Sequence, residues 1–126
     1  MRPLTRGRVL VVEDDARLRF ILHKQLESAG FDVIGLESGE SALATLEAET
    51  PDLVLLNVLL TGIDGIEVCE RIRANERLAR LPVVFLTWKK DDETRARCFR
   101  AGASDYITKP WDSSDLVSRI AGLLPM

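Results

Sequence analysis

Short apolar runs and longer amphipathic stretches take turns along this 126-residue chain. Arg8 to Val12 (RVLVV) is apolar without alternation and is closed by Glu13-Asp14-Asp15, the pattern of a strand covered on both faces. From Ala16 the period changes: Leu18, Ile21, Leu22, Leu26 and Ala29 share one face of a helix that Gly30 ends. Phe31 to Leu36 (FDVIGL) is a second strand, less apolar and so nearer a sheet edge. Ser38 caps a helix bearing Ala42, Leu43 and Leu46, which stops before Pro51. Leu53 to Val58 is apolar at every position but Asn57, and predicts a buried central strand over Leu53 to Asn57.

Gly62 and Gly65 follow, glycines that allow the reversals a strand-to-helix loop needs. Asp64 caps a third helix with Ile66, Cys69 and Ile72 on its apolar face. Pro82 to Thr87 is a fourth strand, with proline at its start where a missing donor is tolerated. Asp91 to Ala101 is a fourth helix, polar apart from Ala96, Cys98, Phe99 and Ala101, and closed by Gly102. Ser104 to Thr108 is a short fifth strand, followed by Lys109-Pro110. Asp112 or Ser113 caps a last helix with Leu116, Val117, Ile120 and Leu123.

Strands alternating with helices through short links predict βαβ units, and so an α/β fold. The expected architecture is a flavodoxin-like doubly wound (βα)5 sandwich around a parallel five-stranded sheet of order 2-1-3-4-5. Residues 1–126 read as a single domain with no repeat or linker, and the last helix ends so close to Met126 that no effector domain is expected to follow.

Composition narrows the function. The net charge of −3 and the lack of a basic run argue against direct nucleic-acid binding. No apolar run approaches a membrane span, and Val9 to Val12 is too short for the centre of an export signal. Cys69 and Cys98 lack both metal-ligand spacing and a disulfide-rich context, and read as reduced, buried thiols of a cytoplasmic protein. His23 is the single histidine, so neither a histidine metal cluster nor a Ser-His-Asp triad can be built.

The chemistry collects where the strands end. Strand one ends in Glu13-Asp14-Asp15, strand three in Asn57, strand four in Thr87, and strand five is followed by Lys109. In the expected strand order strands one and three are neighbours at the switch point, where open α/β sheets place ligands. Acidic oxygens and an amide suit Mg²⁺, a hard ion that takes few protein carboxylates, and a hydroxyl with an ammonium suits a phosphoryl oxygen opposite it. Each piece has an ordinary reading alone: an acidic turn capping a helix, a strand-end asparagine bonded to its own loop, a strand threonine, a solvated Lys-Pro turn. Their register across four strands is what favours a site.

Over residues 8 to 124 the chain resembles the receiver domain of bacterial two-component response regulators, in four motifs: VVEDD, DLVLLNVLLTGIDG, a threonine ending strand four, and YITKP. The resemblance implies that Glu13 and Asp14 are the acidic pair, with Asp14 the direct Mg²⁺ ligand and the backbone carbonyl of Leu59 another. It makes Thr87 the switch hydroxyl, Tyr106 the aromatic switch and Lys109 the phosphate-contacting base. It also implies a signalling partner (a histidine kinase, a phosphotransfer protein or an effector) at the face of helix 4, strand 5 and helix 5. That face would include Lys89, Lys90, Tyr106 and Trp111, and it allows dimerisation.

Asn57 stands where the family has its phospho-accepting aspartate. A neutral amide is a poor oxygen nucleophile, offers one metal-ligating oxygen instead of two and removes a negative charge, so Mg²⁺ is weakened and no phosphoaspartate is expected. Trp88 replaces the small residue that gives phosphodonors access, and Thr61 stands where proline is usual. Three departures around one site fit a naturally degenerate receiver acting as a protein-interaction module. The competing reading is an ordinary phospho-accepting receiver whose aspartate was exchanged in the laboratory. A small Mg²⁺-dependent phosphatase is remoter, because Glu13 occupies the strand end where that chemistry wants an aspartate nucleophile.

Overall fold

The computed structural model describes residues 5–124. Its elements alternate strictly: β1 (Arg8–Val12), α1 (Ala16–Ser28), β2 (Asp32–Leu36), α2 (Gly39–Ala48), β3 (Leu53–Leu56), α3 (Gly65–Ala74), β4 (Val83–Thr87), α4 (Asp92–Ala101), β5 (Asp105–Thr108) and α5 (Ser113–Leu123). The sheet order is β2-β1-β3-β4-β5 with every pair parallel, the doubly wound arrangement that the alternation predicts. β2 lies at an edge and is only partly buried, as its weaker hydrophobicity implies.

The unbroken apolar runs of β1, β3 and β4 follow from having helices on both sides. Val9, Val11, Leu53, Leu55, Val84 and Leu86 point to the layer of α1 and α5, where Leu22, Leu26, Leu116 and Ile120 cover them. Leu10, Val12, Val54, Leu56, Val83 and Phe85 point the other way, against Leu46, Ile66, Cys69, Ile72 and Cys98 from α2, α3 and α4. Cys69 and Cys98 are free and buried, and burial pushes both thiols up to about 11, so they pack as small hydrophobes.

Helices α2, α3 and α5 begin where the sequence places a cap, and Asp91, read as the first residue of the fourth helix, is a cap as well. Asp15, Ser38, Asp64, Asp91 and Asp112 all accept first-turn backbone N–H groups. The buried stripes of two helices are narrower than apolar periodicity implies. On α1 only Leu22 and Leu26 are buried, and Ile21 is 37% exposed beside an exposed Phe20. On α4 the buried pair is Thr94 and Cys98, whereas Ala96 and Phe99 face solvent. Thr94 takes a core position because its hydroxyl is satisfied by Asp91 Oδ2 at 2.8 Å.

The two glycines after β3 serve different ends. Gly62 does adopt a left-handed φ of 83°, and its loop is tied down by the Ile63 N–H donating to Glu40 Oε2 at 3.2 Å. Gly65 is no reversal. It opens α3, and a methyl there would be driven into the carbonyl oxygen of Asn57 and to 3.1 Å from Val58 Cα. The absent side chain lets α3 start directly against the end of β3, which fixes where Asn57 stands.

Candidate functional site

Parallel register aligns the carboxyl ends of the strands. Val12 is level with Leu56, which brings Glu13 beside Asn57, and the Asn57 N–H still donates to Val12 O at 3.1 Å. Thr87 is level with Thr108, and the Lys109 N–H donates to Thr87 O at 2.8 Å. Glu13, Asn57, Thr87 and Lys109 are thus gathered at one edge of the sheet, and all four are buried.

Glu13 is the hub of this group. Its Oε1 accepts from Lys109 Nζ at 2.5 Å, and its Oε2 accepts from the Asp15 N–H at 3.1 Å and from Asn57 Nδ2 at 3.3 Å. Its backbone carbonyl accepts from Arg19 Nη1 at 2.7 Å, anchoring the strand end to α1. The ammonium of Lys109 is 1% exposed and the carboxylate of Glu13 is 3% exposed, so each is the other's charge compensation. The opposite oxygen of the amide, Asn57 Oδ1, is buried and without a hydrogen-bond partner, singular in that respect among the described residues. A small void lined by Glu13, Leu22, Leu56, Asn57 and Leu86 is too tight for a water molecule.

The other members of the acidic and loop set are open to solvent. Asp14 is exposed next to Glu13, Asp15 is spent capping α1, and Leu59 is 57% exposed two residues beyond Asn57. Trp88 is 55% exposed, and its ring centre stands 6.0 Å from Lys109 Nζ, covering the lysine from the solvent side. As arranged, the pocket fits a divalent ion poorly. Asp14 and the orphaned Asn57 Oδ1 suit one, but both oxygens of Glu13 are already engaged, and two carboxylates with one ammonium leave a net charge of only −1.

Thr87 and Tyr106 are joined through one residue. The Lys89 N–H donates to Thr87 Oγ1 at 3.3 Å, and Tyr106 Oη donates to Lys89 O at 2.6 Å. Tyr106 is 3% exposed, lies against Phe85 with ring centres 6.4 Å apart, and has the Arg95 guanidinium 5.4 Å over its ring. Arg95 also sits 5.3 Å over Phe99, so α4 contributes a cation between two aromatic rings. The sequence does not betray this linkage, because it runs through a backbone and not a side chain.

One expectation for the partner face is corrected here. Tyr106 is turned inward, so its ring is not part of that surface. Trp111 is half-buried against the α1–α5 core, and its Nε1 donates to Gln25 Oε1 at 2.8 Å, which makes it an anchor between α5 and α1. Lys89 and Lys90 do remain exposed, and His23 is a surface residue 3.4 Å from Glu27. The Lys109-Pro110 peptide is cis.

Burial pushes the Tyr106 phenol up to about 12, with the neighbouring Cys98 and Asp91 adding to the shift and Arg95 opposing it. A raised value means the folded state prefers the neutral phenol. That preference is complete below the unfolded value near ~10 and is lost as pH rises towards the folded one. Tyr106 is the single tyrosine. Its ultraviolet ionisation should therefore have a midpoint near 12 in the folded chain and shift to about 10 in denaturant. A folded-state midpoint near ~10 would mean the ring points outward.

A doubly wound sheet with an acidic strand end, a hydroxyl and a lysine around one strand-three residue defines a receiver of two-component signalling. The response regulator receiver domain family matches residues 9–121, and the chain belongs to it. The chain is 36% identical over 117 residues to the phosphate regulon transcriptional regulatory protein PhoB of Rhizobium meliloti, covering 93% of this chain and 52% of that protein. It is 37% identical to the alkaline phosphatase synthesis transcriptional regulatory protein PhoP of Bacillus subtilis, covering 93% and 48%. The chain thus spans about half the length of these curated relatives.

Among solved structures, it superposes with TM-score 0.87 on the BeF3-activated N-terminal receiver domain of Klebsiella pneumoniae RstA (31% identity, 94% of this chain, 99% of that one). The signal receiver domain of a signal transduction histidine kinase from Syntrophus aciditrophicus gives 0.88 (32% identity, 94% and 89%). Receiver domains are signalling modules rather than enzymes, and as a family they hold Mg²⁺ at the acceptor position and engage histidine kinases and effector domains. Among the described residues no helix is long and apolar enough to cross a membrane.

Proposed function

We propose that this chain is a receiver whose output works through protein contact without a phosphoaspartate. The observation that supports this reading is the amide at residue 57: its nitrogen is bonded to Glu13, its one oxygen is buried, and the position offers no carboxylate oxygen to attack phosphorus. Glu13 and Asp14 keep the acidic pair, Thr87 and Lys109 keep the phosphoryl-contacting set, and Trp88 narrows the approach. With one ligating oxygen at residue 57, Mg²⁺ binding is weak.

The partner is a cytoplasmic signalling protein (a kinase, a phosphotransfer protein or an effector) that meets the face formed by α4, β5 and α5. Exposed Lys89, Lys90 and Phe99 supply charge and apolar area there. The named relatives are transcriptional regulators about twice this length, so any DNA contact in such a system belongs outside the acidic domain described here.

The test is intact-mass analysis with Mg²⁺ and acetyl phosphate, on this chain and on Asn57→Asp in parallel. The unaltered chain should gain no phosphate. The retained Glu13, Asp14, Thr87 and Lys109 favour a second reading, an ordinary receiver with an exchanged aspartate, and that reading requires Asn57→Asp to label at the rate of common receivers. Slow or absent labelling of Asn57→Asp, with Trp88→Ala accelerating it, is the outcome the degenerate reading expects.

A further inference from the structure

The acidic pocket is already provided with a cation. Lys109 extends its ammonium inward to 2.5 Å from Glu13 Oε1, and the ammonium is as deeply buried as any core group. Among the described residues no other cation is bonded to the Glu13 carboxylate: Arg19 reaches only the backbone carbonyl, and Asn57 and the Asp15 N–H contribute neutral hydrogen bonds. The Trp88 ring lies over the same ammonium on its solvent side, where its face adds to the hold on the charge. An aspartate at residue 57 would bring the pocket to two net negative charges, the balance that calls for a dication. With Asn57 the balance, Lys109 included, is one net negative charge, which a dication would overshoot.

We propose that Lys109 is the resident cation of this site, so that the pocket rests without a divalent ion, and any Mg²⁺ reaching Asp14 must compete with an internal ammonium already paired to Glu13. The inference rests on reading this pocket as the receiver's phosphoryl site, and it assigns that site a metal-independent resting state. Two physical effects act together. Mg²⁺ sheds its water reluctantly and wants charged oxygen ligands, of which Asp14 alone is free. A buried ammonium also repels a dication arriving beside it far more than an exposed one would, because little water screens the pair.

The experiment adds Mg²⁺ to the whole chain and to Lys109→Met, reading thermal unfolding and tryptophan fluorescence, since Trp88 lies over the lysine. The unaltered chain should show no saturable response up to about 10 mM Mg²⁺. Lys109→Met should bind Mg²⁺ at least about tenfold more tightly and be raised in melting temperature by it. Equal or tighter binding by the unaltered chain overturns the proposal. Should Lys109→Met fail to fold with or without Mg²⁺, the lysine side-chain carbon signals of the unaltered chain decide. An unmoved Lys109 signal on adding Mg²⁺ supports the resident cation, and a saturable displacement refutes it. Phosphate addition in the mass experiment would sink the contact-only function while leaving this titration to stand or fall separately.

Discussion

Glu13→Ala is expected to cost about 3–5 kcal/mol, because it strands a buried ammonium with no counter-charge. Lys109 reaches Glu13 across almost the whole chain and is 1% exposed, so it has no solvent to turn to without dragging Thr108 and the Lys109-Pro110 turn with it. The same change also frees Asn57 Nδ2, so both polar ends of that amide would be unsatisfied. Against a total stability of ~5–15 kcal/mol, the loss should be plain in a urea unfolding curve at neutral pH. Glu13→Gln keeps the volume and one acceptor and should recover part of it. The double change Glu13→Gln with Lys109→Met should be more stable than either single one, since it removes both charges together. Equal and additive losses would mean that the two side chains do not depend on one another.

Gly65→Ala is the second large effect. The added methyl meets the Asn57 carbonyl oxygen and Val58 Cα, both backbone atoms at the end of a central strand, so no flexible side chain can give way. Either α3 withdraws from the sheet, disturbing Ile66, Val68, Cys69 and Ile72, or Asn57 moves off Glu13. Overpacking of this kind costs about 3 kcal/mol or somewhat more, and chemical denaturation should show it. Ala at Gly122, where an added methyl meets nothing within 4 Å, is the matched control and should be neutral or mildly stabilising. A loss at Gly65 no larger than that at Gly122 would show the β3–α3 junction to be loose.

Most of the architecture was legible because each element obeys a local rule. Unbroken apolar runs named β1, β3 and β4, and Ser or Asp before an amphipathic period named the starts of α2, α3 and α5. The four strand-end residues were legible for the same reason, since parallel strands line up their carboxyl ends. What stayed hidden depends on partners far apart in sequence. Nothing local says that Lys109 selects Glu13, that Trp111 leans on Gln25, or that Tyr106 turns inward to a carbonyl. Ile21, Ala96 and Phe99 have the right period yet lie at the flank of their helices, and periodicity alone does not measure how wide a neighbouring layer is. Gly65 was marked as special, but close approach and free torsion leave the same letter in a sequence.

The backbone of Lys89 joins Thr87 through its N–H and Tyr106 through its carbonyl, atoms that every amino acid but proline supplies. Alanine scanning is therefore blind to it: Lys89→Ala would delete a solvent-facing amine and leave the tether whole. Only proline at that position cuts the strand-four end, by removing the donor while sparing the acceptor. A survey of this domain by side-chain truncation would rate residue 89 as dispensable when its main chain is what links two distant hydroxyls.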